Sequence, residues 1–386
     1  MFGNKKLLVL HIIDSISPGG VNSFVYDLCL SQRNINLDSR IIVILKNEND
    51  GGESNIPPEI PFYFLNAKGK KQAVLFRIPA LRKLIKSLSK GRTTICNLHL
   101  KLSVLVGVLS TICMKNIYRV ETYHSSYHHY KFQYTLMKKF IAKYIAVSDD
   151  CKAEMRRRFH TKDDRLISIP NGVSRNELRE IVSKNVGDLN RSFNSKKTIH
   201  LLSVGRLSYQ KNLQVSAKAL SNICNEKLDY KIIGEGEYRN VIEESFCSNN
   251  YIFLLGNLPR ESIMDYLFKS DLLIMPSLWE GRSILQLEAM AFDLPMVISD
   301  VASLREPFNE PPLNENEIWR KTRFGYLVQT NNIAAYQESV LNFVTSTTDL
   351  EIFEMRKYIS QISRENDITV VAGKYKDVYL SLLSKE

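Results

Sequence analysis

At 386 residues the chain is too long for one compact core and fits two domains, and its 44% hydrophobic and 24% charged residues are ordinary for a soluble globular protein. Its longest apolar stretch, residues 102–114, is too short to cross a bilayer, and its six scattered cysteines favour reduced thiols over disulfides or a metal site. The net charge of +11 divides into +14 for residues 1–180 and −3 for the remainder. We therefore expect an acidic partner for the first half alone, either nucleic acid or an anionic membrane surface.

The first half of the chain alternates predicted strands and helices. The run at residues 7–13 is interpreted as a strand and not as a signal peptide, because no small-residue cleavage site follows it. Further strands are predicted at 41–45, 62–65, 94–98, 118–123 and 144–147, and helices at 21–30, 75–88 (broken near Pro79), 102–114 and 133–143. This alternation predicts an α/β domain with a parallel sheet.

A second alternation follows a polar stretch, interpreted as a linker, that runs from Val173 through residues 183–197. Strands are predicted at 200–204, 230–233, 251–255, 271–275, 296–299 and 325–328, with helices at 213–220, after Ser283, and at 369–383. The Pro-, Asn- and Glu-rich region 307–323 is predicted to be a loop. The predicted domains are residues 1–180 and 181–366.

The stretch from Asp271 to Asp300 predicts one strand–turn–helix–strand unit, with Ser283 as the helix N-cap. Ligands of such units bind at the carboxyl ends of the strands, near the helix N-terminus. Glu280 lies in the turn and Glu288 lies inside the helix. Ionised carboxylates accept two hydrogen bonds at once, so the pair predicts a polyol ligand such as a sugar or a ribose. The alternative is that both are ordinary solvated carboxylates.

Two cations follow the strand at residues 200–204. Arg206 and Lys211 lie between that strand and a helix, where an Arg fork and a Lys point charge can converge on one diphosphate. Solvated surface charges are the alternative. Gly19 and Gly20 hold the corresponding position after the first strand, where glycine lets the backbone approach a ligand. The segment from Gly234 to Gly236 is weak as a dinucleotide fingerprint, because it lacks a third glycine.

The Glu-x7-Glu spacing of Glu280 and Glu288, preceded by Gly205-Arg206-Leu-x-x-x-Lys211, resembles the signature of the family 4 retaining glycosyltransferases of GT-B fold. This chain has Arg282-Ser283 where the commonest family version has an aromatic residue and glycine. The resemblance implies two Rossmann-like domains facing each other across a cleft, with a C-terminal helix (about 367–386) packing back on the first domain.

The resemblance also implies a role for each matching residue. Glu288 would bind the nucleotide ribose and Glu280 the donor sugar, with the amides of the intervening turn facing sugar and diphosphate. Arg206 and Lys211 would neutralise the departing diphosphate, and His124, in a Thr-x-His segment, would contact the donor sugar. The implied donor-binding residues are Gly19, Gly20, Gly205, Asn257, Leu258, Gly281, Ser283, Ile284 and Glu288.

The implied function is retaining transfer of a sugar from a nucleotide diphosphate-sugar to an acceptor hydroxyl, in the synthesis of a surface polysaccharide or glycolipid. A UDP-sugar is favoured, with a GDP-sugar as the alternative. The alternatives to this enzyme are a non-catalytic subunit that binds sugar nucleotides, a sugar-nucleotide epimerase of GT-B fold, and a nucleic-acid-binding protein, for which no recognition motif is present.

No metal or other cofactor is expected, because the chain contains no Asp-x-Asp. His128 and His129 lie near His124 in the sequence but lack acidic or Cys partners for zinc. A basic helix face predicts reversible attachment to the cytoplasmic side of a membrane, next to a lipid-linked acceptor. Its residues are Lys70, Lys71, Arg77, Arg82, Lys83, Lys86 and Lys90.

Overall fold

The computed structural model describes residues 7–16, 19–45, 56–67, 70–124, 136–183, 198–223, 225, 227–246 and 249–384. The chain forms two compact units. The first comprises Met1–Gly172 together with Ile368–Glu386, and the second comprises Val173–Asp367. The chain therefore passes from the first unit to the second at residue 173 and returns at residue 368.

The first unit is built on one parallel sheet, which has seven strands in the described residues, in the order β3-β2-β1-β4-β5-β6-β7. The strands are β1 (Leu8–Ile13), β2 (Asp38–Leu45), β3 (Phe62–Ala67), β4 (Thr94–His99), β5 (Ile117–Tyr123), β6 (Lys143–Ala146) and β7 (Leu166–Ser168). The helices are α1 (Gly20–Asn34), α2 (Lys70–Leu88), α3 (Lys101–Thr111), α4 (Asp149–Phe159) and the C-terminal helix (Ile368–Leu383). All residues of β1 and β4 are buried, as expected for parallel strands covered on both faces.

The C-terminal helix is held in the first unit by buried polar contacts. The Tyr379 hydroxyl accepts a hydrogen bond from Asn97 Nδ2 at 2.9 Å, and the Tyr375 hydroxyl lies 3.4 Å from Thr122 Oγ1. Both tyrosines are fully buried. The last helix therefore completes the core of the unit that the start of the chain builds.

The second unit has the same architecture, with an antiparallel strand added at one edge. Within the described residues its sheet also has seven strands, in the order β10-β9-β8-β11-β12-β14-β13, and the β13–β14 pair is antiparallel. The strands are β8 (Ile199–Val204), β9 (Leu228–Ile233), β10 (Ile252–Leu254), β11 (Leu272–Met275), β12 (Met296–Ser299), β13 (Trp319–Thr322) and β14 (Gly325–Val328). The helices are α5 (Arg175–Ser183), α6 (Leu213–Ser221), α7 (Arg239–Ser245), α8 (Arg260–Lys269), α9 (Ile284–Ala291), α10 (Ala302–Arg305), α11 (Ile333–Ser346) and α12 (Asp349–Glu365).

Helix α2 differs from its prediction in two ways. It begins at Lys70 instead of residue 75, and it continues through Pro79 without a break. A proline inside a helix costs about 3 kcal/mol. Leu81 and Ile85 are fully buried in the core, and each contributes roughly 1.5–3 kcal/mol. This packing offsets the cost of the proline.

The predicted helix at 133–143 is also shorter in the structure. Residues 133–135 lie outside the described residues, and the described part ends as a short 3₁₀ helix, Lys138–Phe140. Arg119 Nε donates to the Phe140 carbonyl oxygen at 2.8 Å, and Arg165 donates to the Lys138 carbonyl oxygen at 2.6 Å. These side chains occupy carbonyl groups that a longer helix would use.

Two segments predicted to be irregular contain regular structure. The linker prediction is wrong for residues 175–183, which form α5, with Leu178 and Val182 buried one turn apart. The loop prediction for 307–323 is wrong at Trp319–Thr322, which form β13. Each residue of this edge strand is half-buried, so the strand lacks the apolar run that marks a central strand.

Four of the cysteines lie among the described residues, and all four are free thiols: Cys29, Cys96, Cys113 and Cys151. Cys224 and Cys247 lie outside the described residues. None of the helices in the described part of the chain is both long enough and apolar enough to cross a membrane.

Candidate functional site

The predicted site residues of the second unit lie near the point where the strand order of its sheet reverses. Strands β8 and β11 are neighbours, although β9 and β10 separate them in the chain. The chain leaves β8 toward one edge of the sheet and leaves β11 toward the other. In open parallel sheets ligands bind at this point, outside the carboxyl ends of the strands.

Lys211 follows β8 and Glu280 follows β11, and the two side chains meet. Lys211 Nζ lies 2.6 Å from Glu280 Oε1, and Ser277 Oγ donates to the same oxygen at 2.8 Å. Ser303 Oγ donates to the Glu280 backbone carbonyl at 3.0 Å. Glu280 is buried, so these contacts hold its carboxylate in one position and stabilise its negative charge.

Arg206 is placed differently from Lys211. Its side chain is exposed, and it has no hydrogen-bond or ion-pair partner among the residues that the structure describes. The two cations of the predicted diphosphate site are therefore unequal in this structure. Lys211 is engaged with a carboxylate, whereas the guanidinium of Arg206 is open to an anionic ligand.

Glycines let the turns at this edge of the sheet come together. Gly205 has φ +154°, and a Cβ there would lie 3.3 Å from Lys211 Cε. Gly234, at the end of β9, has φ +142°, and its Cβ would lie 1.9 Å from the Gly205 carbonyl oxygen. A larger residue at Gly234 would separate the two turns, so its direct role is the packing of neighbouring turns.

Helix α9 begins beside Glu280. The Ser283 side chain accepts a hydrogen bond from the Gln286 amide at 3.4 Å, which confirms Ser283 as the N-cap. Gly281 and Ser283 lie between Glu280 and the first residue of α9, Ile284. The turn amides therefore lie at a helix N-terminus, where anionic groups are stabilised.

Glu288 lies one turn into α9 and is buried. Burial raises the pKa of its carboxyl above the usual value, and the Arg260 guanidinium, 3.1 Å away, opposes that rise. Arg260 opens α8, two residues after Leu258, with Pro259 as the N-cap residue. The structure thus brings the loop after β10 to the predicted ribose carboxylate. Sequence reasoning missed Arg260, because an Arg at the start of a helix resembles any surface charge.

Arg282, where the chain departs from the common family pattern, is buried. Its guanidinium donates to Asn366 Oδ1 at 2.8 Å and lies 3.6 Å from Glu306. Only 2% of the side chain is exposed. Arg282 therefore ties the Glu280 turn to the end of α12.

The site residues predicted in the first unit lie at the carboxyl edge of its own sheet. Gly19 is the N-cap residue of α1 and Gly20 begins that helix, whereas His124 directly follows β5. Phe24, one turn after Gly20, packs its ring edge-on to His124 with 5.8 Å between ring centroids. Helix α1 therefore lies against His124.

His124 does not stand alone. It hydrogen-bonds His99 at the end of β4, and His99 hydrogen-bonds His11 in β1. His11 and His99 were missed, although a histidine inside an otherwise apolar strand is a signal that a buried partner is needed. His128 and His129 lie outside the described residues. Among the described residues, no cluster of His, Cys, Asp and Glu side chains is arranged to hold a metal ion.

Two family models match the chain, one to each half. The model described as Glycosyltransferase Family 4 matches residues 18–177, and the model described as Glycosyl transferases group 1 matches residues 188–366. Together they cover most of both units, including both sets of predicted site residues.

Curated relatives are also glycosyltransferases. An Escherichia coli UDP-Gal:α-D-GlcNAc-diphosphoundecaprenol α-1,3-galactosyltransferase is 26% identical over 66% of this chain and 64% of its own length. The GPI3 subunit of the Saccharomyces cerevisiae phosphatidylinositol N-acetylglucosaminyltransferase is 23% identical over 95% of this chain and 80% of its own length.

Solved structures show the same fold at low sequence identity. A glycosyltransferase from Rickettsia africae superposes with a TM-score of 0.76 at 17% identity, covering 99% of this chain and 100% of that one. Anabaena HepE, solved with UDP and glucose, superposes with a TM-score of 0.74 at 13% identity, covering 97% and 99%. This chain belongs to family 4 of the glycosyltransferases and has the GT-B fold.

Proposed function

We propose that this protein transfers a sugar from a UDP-sugar to a hydroxyl of a lipid-linked acceptor, with retention at the anomeric carbon, in the synthesis of a surface polysaccharide or glycolipid. The observation that carries the proposal is the meeting of Lys211 and Glu280, at 2.6 Å, at the switch point between β8 and β11. The E. coli relative is named for a UDP-sugar donor and a diphosphoundecaprenol acceptor. Both features support the same class of reaction.

In the proposed step the acceptor oxygen bonds to the anomeric carbon as the bond between that carbon and the diphosphate oxygen breaks. The bonding electrons stay on the diphosphate, and the acceptor proton passes to it from the same face of the sugar. Arg206 and Lys211 stabilise the charge that develops on the diphosphate, and such contacts are worth about 3 kcal/mol each. Glu280 and the turn amides hold the sugar, and Glu288 binds the ribose.

The reaction is proposed to need no metal ion, because the side chains of Arg206 and Lys211 would stabilise the negative charge of the leaving diphosphate and the chain has no Asp-x-Asp. We expect activity to be unchanged by EDTA. A loss of activity that added metal restores would show that the leaving group is stabilised in another way.

The donor is tested by thermal unfolding with a panel of UDP-, GDP- and ADP-sugars. A ligand that binds only the folded state raises the midpoint of unfolding. We expect UDP-sugars to raise it most, and Arg206→Ala to lose most of that rise. A panel in which no nucleotide sugar changes the midpoint would contradict the proposal. Stabilisation without hydrolysis or transfer would favour a binding subunit, and isomerised donor without acceptor would favour an epimerase.

An anionic membrane surface is the proposed partner of the first unit. Exposed basic side chains line a pocket of about 700 Å³ between the end of α2 and the start of β5, together with Cys113, Met114 and Ile117. The basic residues are Arg82, Lys83, Lys86, Lys90 and Lys115. Among the described residues the four lysines have no carboxylate partner. Each basic residue near an anionic surface contributes about 1 kcal/mol.

This partner is tested by co-sedimentation with vesicles of graded anionic lipid at low and high salt. The triple variant Lys83→Glu/Lys86→Glu/Lys90→Glu should remain in the supernatant. A control with the same change in charge, Arg157→Glu/Lys162→Glu/Lys374→Glu, places its substitutions on exposed residues away from the pocket and should still sediment. Equal recovery of both variants in the supernatant would show that the pocket does not contribute to membrane attachment.

A further inference from the structure

A row of three imidazoles, of which the inner two are buried, runs from the middle of the first sheet to its carboxyl edge. His11 Nδ1 lies 3.0 Å from His99 Nε2, and His99 Nδ1 lies 2.9 Å from His124 Nε2. At the inner end, His11 Nε2 lies 2.9 Å from Gln32 Oε1 in α1. His11, His99 and Gln32 are completely buried. The row therefore links His124 to an amide in the core.

The two inner rings are neutral at neutral pH. Burial lowers the pKa of His11 to about 4, although its hydrogen bond with Gln32 opposes that change. Burial holds the pKa of His99 well below the usual value, and the neighbouring His11 and His124 lower it further. A neutral imidazole has one N–H donor and one acceptor nitrogen. The direction of each hydrogen bond along the row therefore determines which nitrogen of the next ring is the donor and which is the acceptor.

The direction of the row is set at Gln32. Gln32 Oε1 accepts hydrogen bonds from Ser39 Oγ at 2.7 Å and from His11 Nε2. With the Gln32 amide in this orientation, His11 carries its proton on Nε2 and accepts at Nδ1, so His99 donates from Nε2 and accepts at its own Nδ1. His124 must then donate from Nε2 as well. In this tautomer the lone pair of His124 is on Nδ1.

We infer that Gln32, His11 and His99 are positioning residues, which fix the ring orientation and the tautomer of His124 so that its Nδ1 accepts a hydrogen bond from a sugar hydroxyl. The identity of the bound group rests on the proposed function, whereas the tautomer rests on the hydrogen bonds alone. Replacing the partner that orients a metal-bound histidine through its second nitrogen typically costs 10- to 100-fold in affinity or activity, and we expect an effect of this size here.

The inference is tested by ¹⁵N NMR of histidine-labelled protein at neutral pH, together with kcat and KM for the wild type and three variants. Gln32→Glu keeps the shape of the side chain, and burial at this position favours the protonated carboxyl. Its O–H then donates to His11 Nε2, which forces His11 to carry its own proton on Nδ1 and donate from there. The row then reverses, and His124 should carry its proton on Nδ1. Gln32→Leu removes the fixed acceptor and should give a mixture of both tautomers.

The control is Ser39→Ala, which removes the other hydrogen bond to the same Gln32 oxygen and leaves the imidazole row intact. We expect it to keep the wild-type tautomer and rate. Gln32→Glu and Gln32→Leu should each lower kcat about tenfold, with a smaller change in KM. Gln32→Glu and Gln32→Leu change the core differently. Circular dichroism of each variant shows whether it is folded, and the tautomer and rate are interpreted only for a folded variant.

The same His124 tautomer in all four proteins would overturn the inference, and so would unchanged kcat in a variant whose tautomer has reversed. Absence of transfer by the wild type with every donor would contradict the proposed function instead, and the NMR comparison would still decide whether Gln32 sets the tautomer.

Discussion

At the scale of single residues, the two cations of the proposed diphosphate site have different surroundings. Lys211 neutralises the buried carboxylate of Glu280, whereas Arg206 is exposed. Breaking an ion pair that holds a buried carboxylate leaves an uncompensated charge, which typically costs several kcal/mol. Removing an exposed, unengaged side chain leaves the fold unaffected. Substituting Arg206 should therefore affect catalysis alone, whereas substituting Lys211 should affect both catalysis and stability.

We predict that Arg206→Ala and Lys211→Ala each lower turnover at least about a hundredfold, the usual effect of losing one charged contact to the transition state. Lys211→Ala should also lower the free energy of unfolding by roughly 3 kcal/mol, and Arg206→Ala should leave it unchanged. Steady-state kinetics and urea unfolding of both variants check this. Turnover within threefold of wild type in both would contradict the diphosphate assignment.

Glu288 shows a conflict between function and stability. A carboxyl whose pKa is raised on folding holds its proton more tightly in the folded protein, so stability is lost as pH rises from the unfolded pKa through the folded one. At neutral pH, which lies above the unfolded pKa, the buried carboxyl of Glu288 therefore lowers the stability of the unliganded protein.

We predict that Glu288→Gln raises the melting temperature at pH 7 without donor and lowers turnover about a hundredfold, because the amide accepts ribose hydrogen bonds less strongly than a carboxylate. The gain in melting temperature should shrink as pH falls toward 4.5. Thermal unfolding across pH tests this. A lower melting temperature at pH 7 would show that Arg260 compensates fully for the burial of Glu288.

At the scale of helices and strands, the sequence indicates most of the elements and the way they place the site. Apolar runs locate the central strands, and the family resemblance assigns Lys211 and Glu280 to one donor site. The strands β7 and β13, which lie at the edges of their sheets and have few buried residues, were not predicted. Seven helices of the described residues were not predicted either: α4, α5, α7, α8, α10, α11 and α12. The pairing of His11 with His99 depends on β1 and β4 being neighbours, which is a long-range property that no local pattern contains.

The C-terminal helix depends on buried hydrogen bonds for its place in the first unit. We predict that Tyr379→Phe lowers the free energy of unfolding by about 1–3 kcal/mol, because Asn97 Nδ2 is left buried without its acceptor. The control Tyr209→Phe, at an exposed tyrosine, should change it by less than about 0.5 kcal/mol. Equal effects of the two substitutions would show that Tyr379 contributes through its ring alone.

At the scale of the whole molecule, the two units share one arrangement of strands. The strand order of each sheet reverses between two adjacent strands, β1 and β4 in the first unit and β8 and β11 in the second. The predicted site residues follow those strands and their neighbours. The first unit carries the excess positive charge and the imidazole row, and the second carries the carboxylates and the two cations of the proposed donor site.

Retaining sugar transfer is tested most directly by incubating the protein with UDP-sugars and a lipid-diphosphate-linked sugar acceptor, then determining the anomeric configuration of the product by NMR. We expect release of UDP together with a new glycosidic bond of the same configuration as the donor, and a loss of activity of at least about a hundredfold in Lys211→Ala. A product of inverted configuration, or no transfer and no hydrolysis with any UDP-, GDP- or ADP-sugar, would contradict retaining sugar transfer.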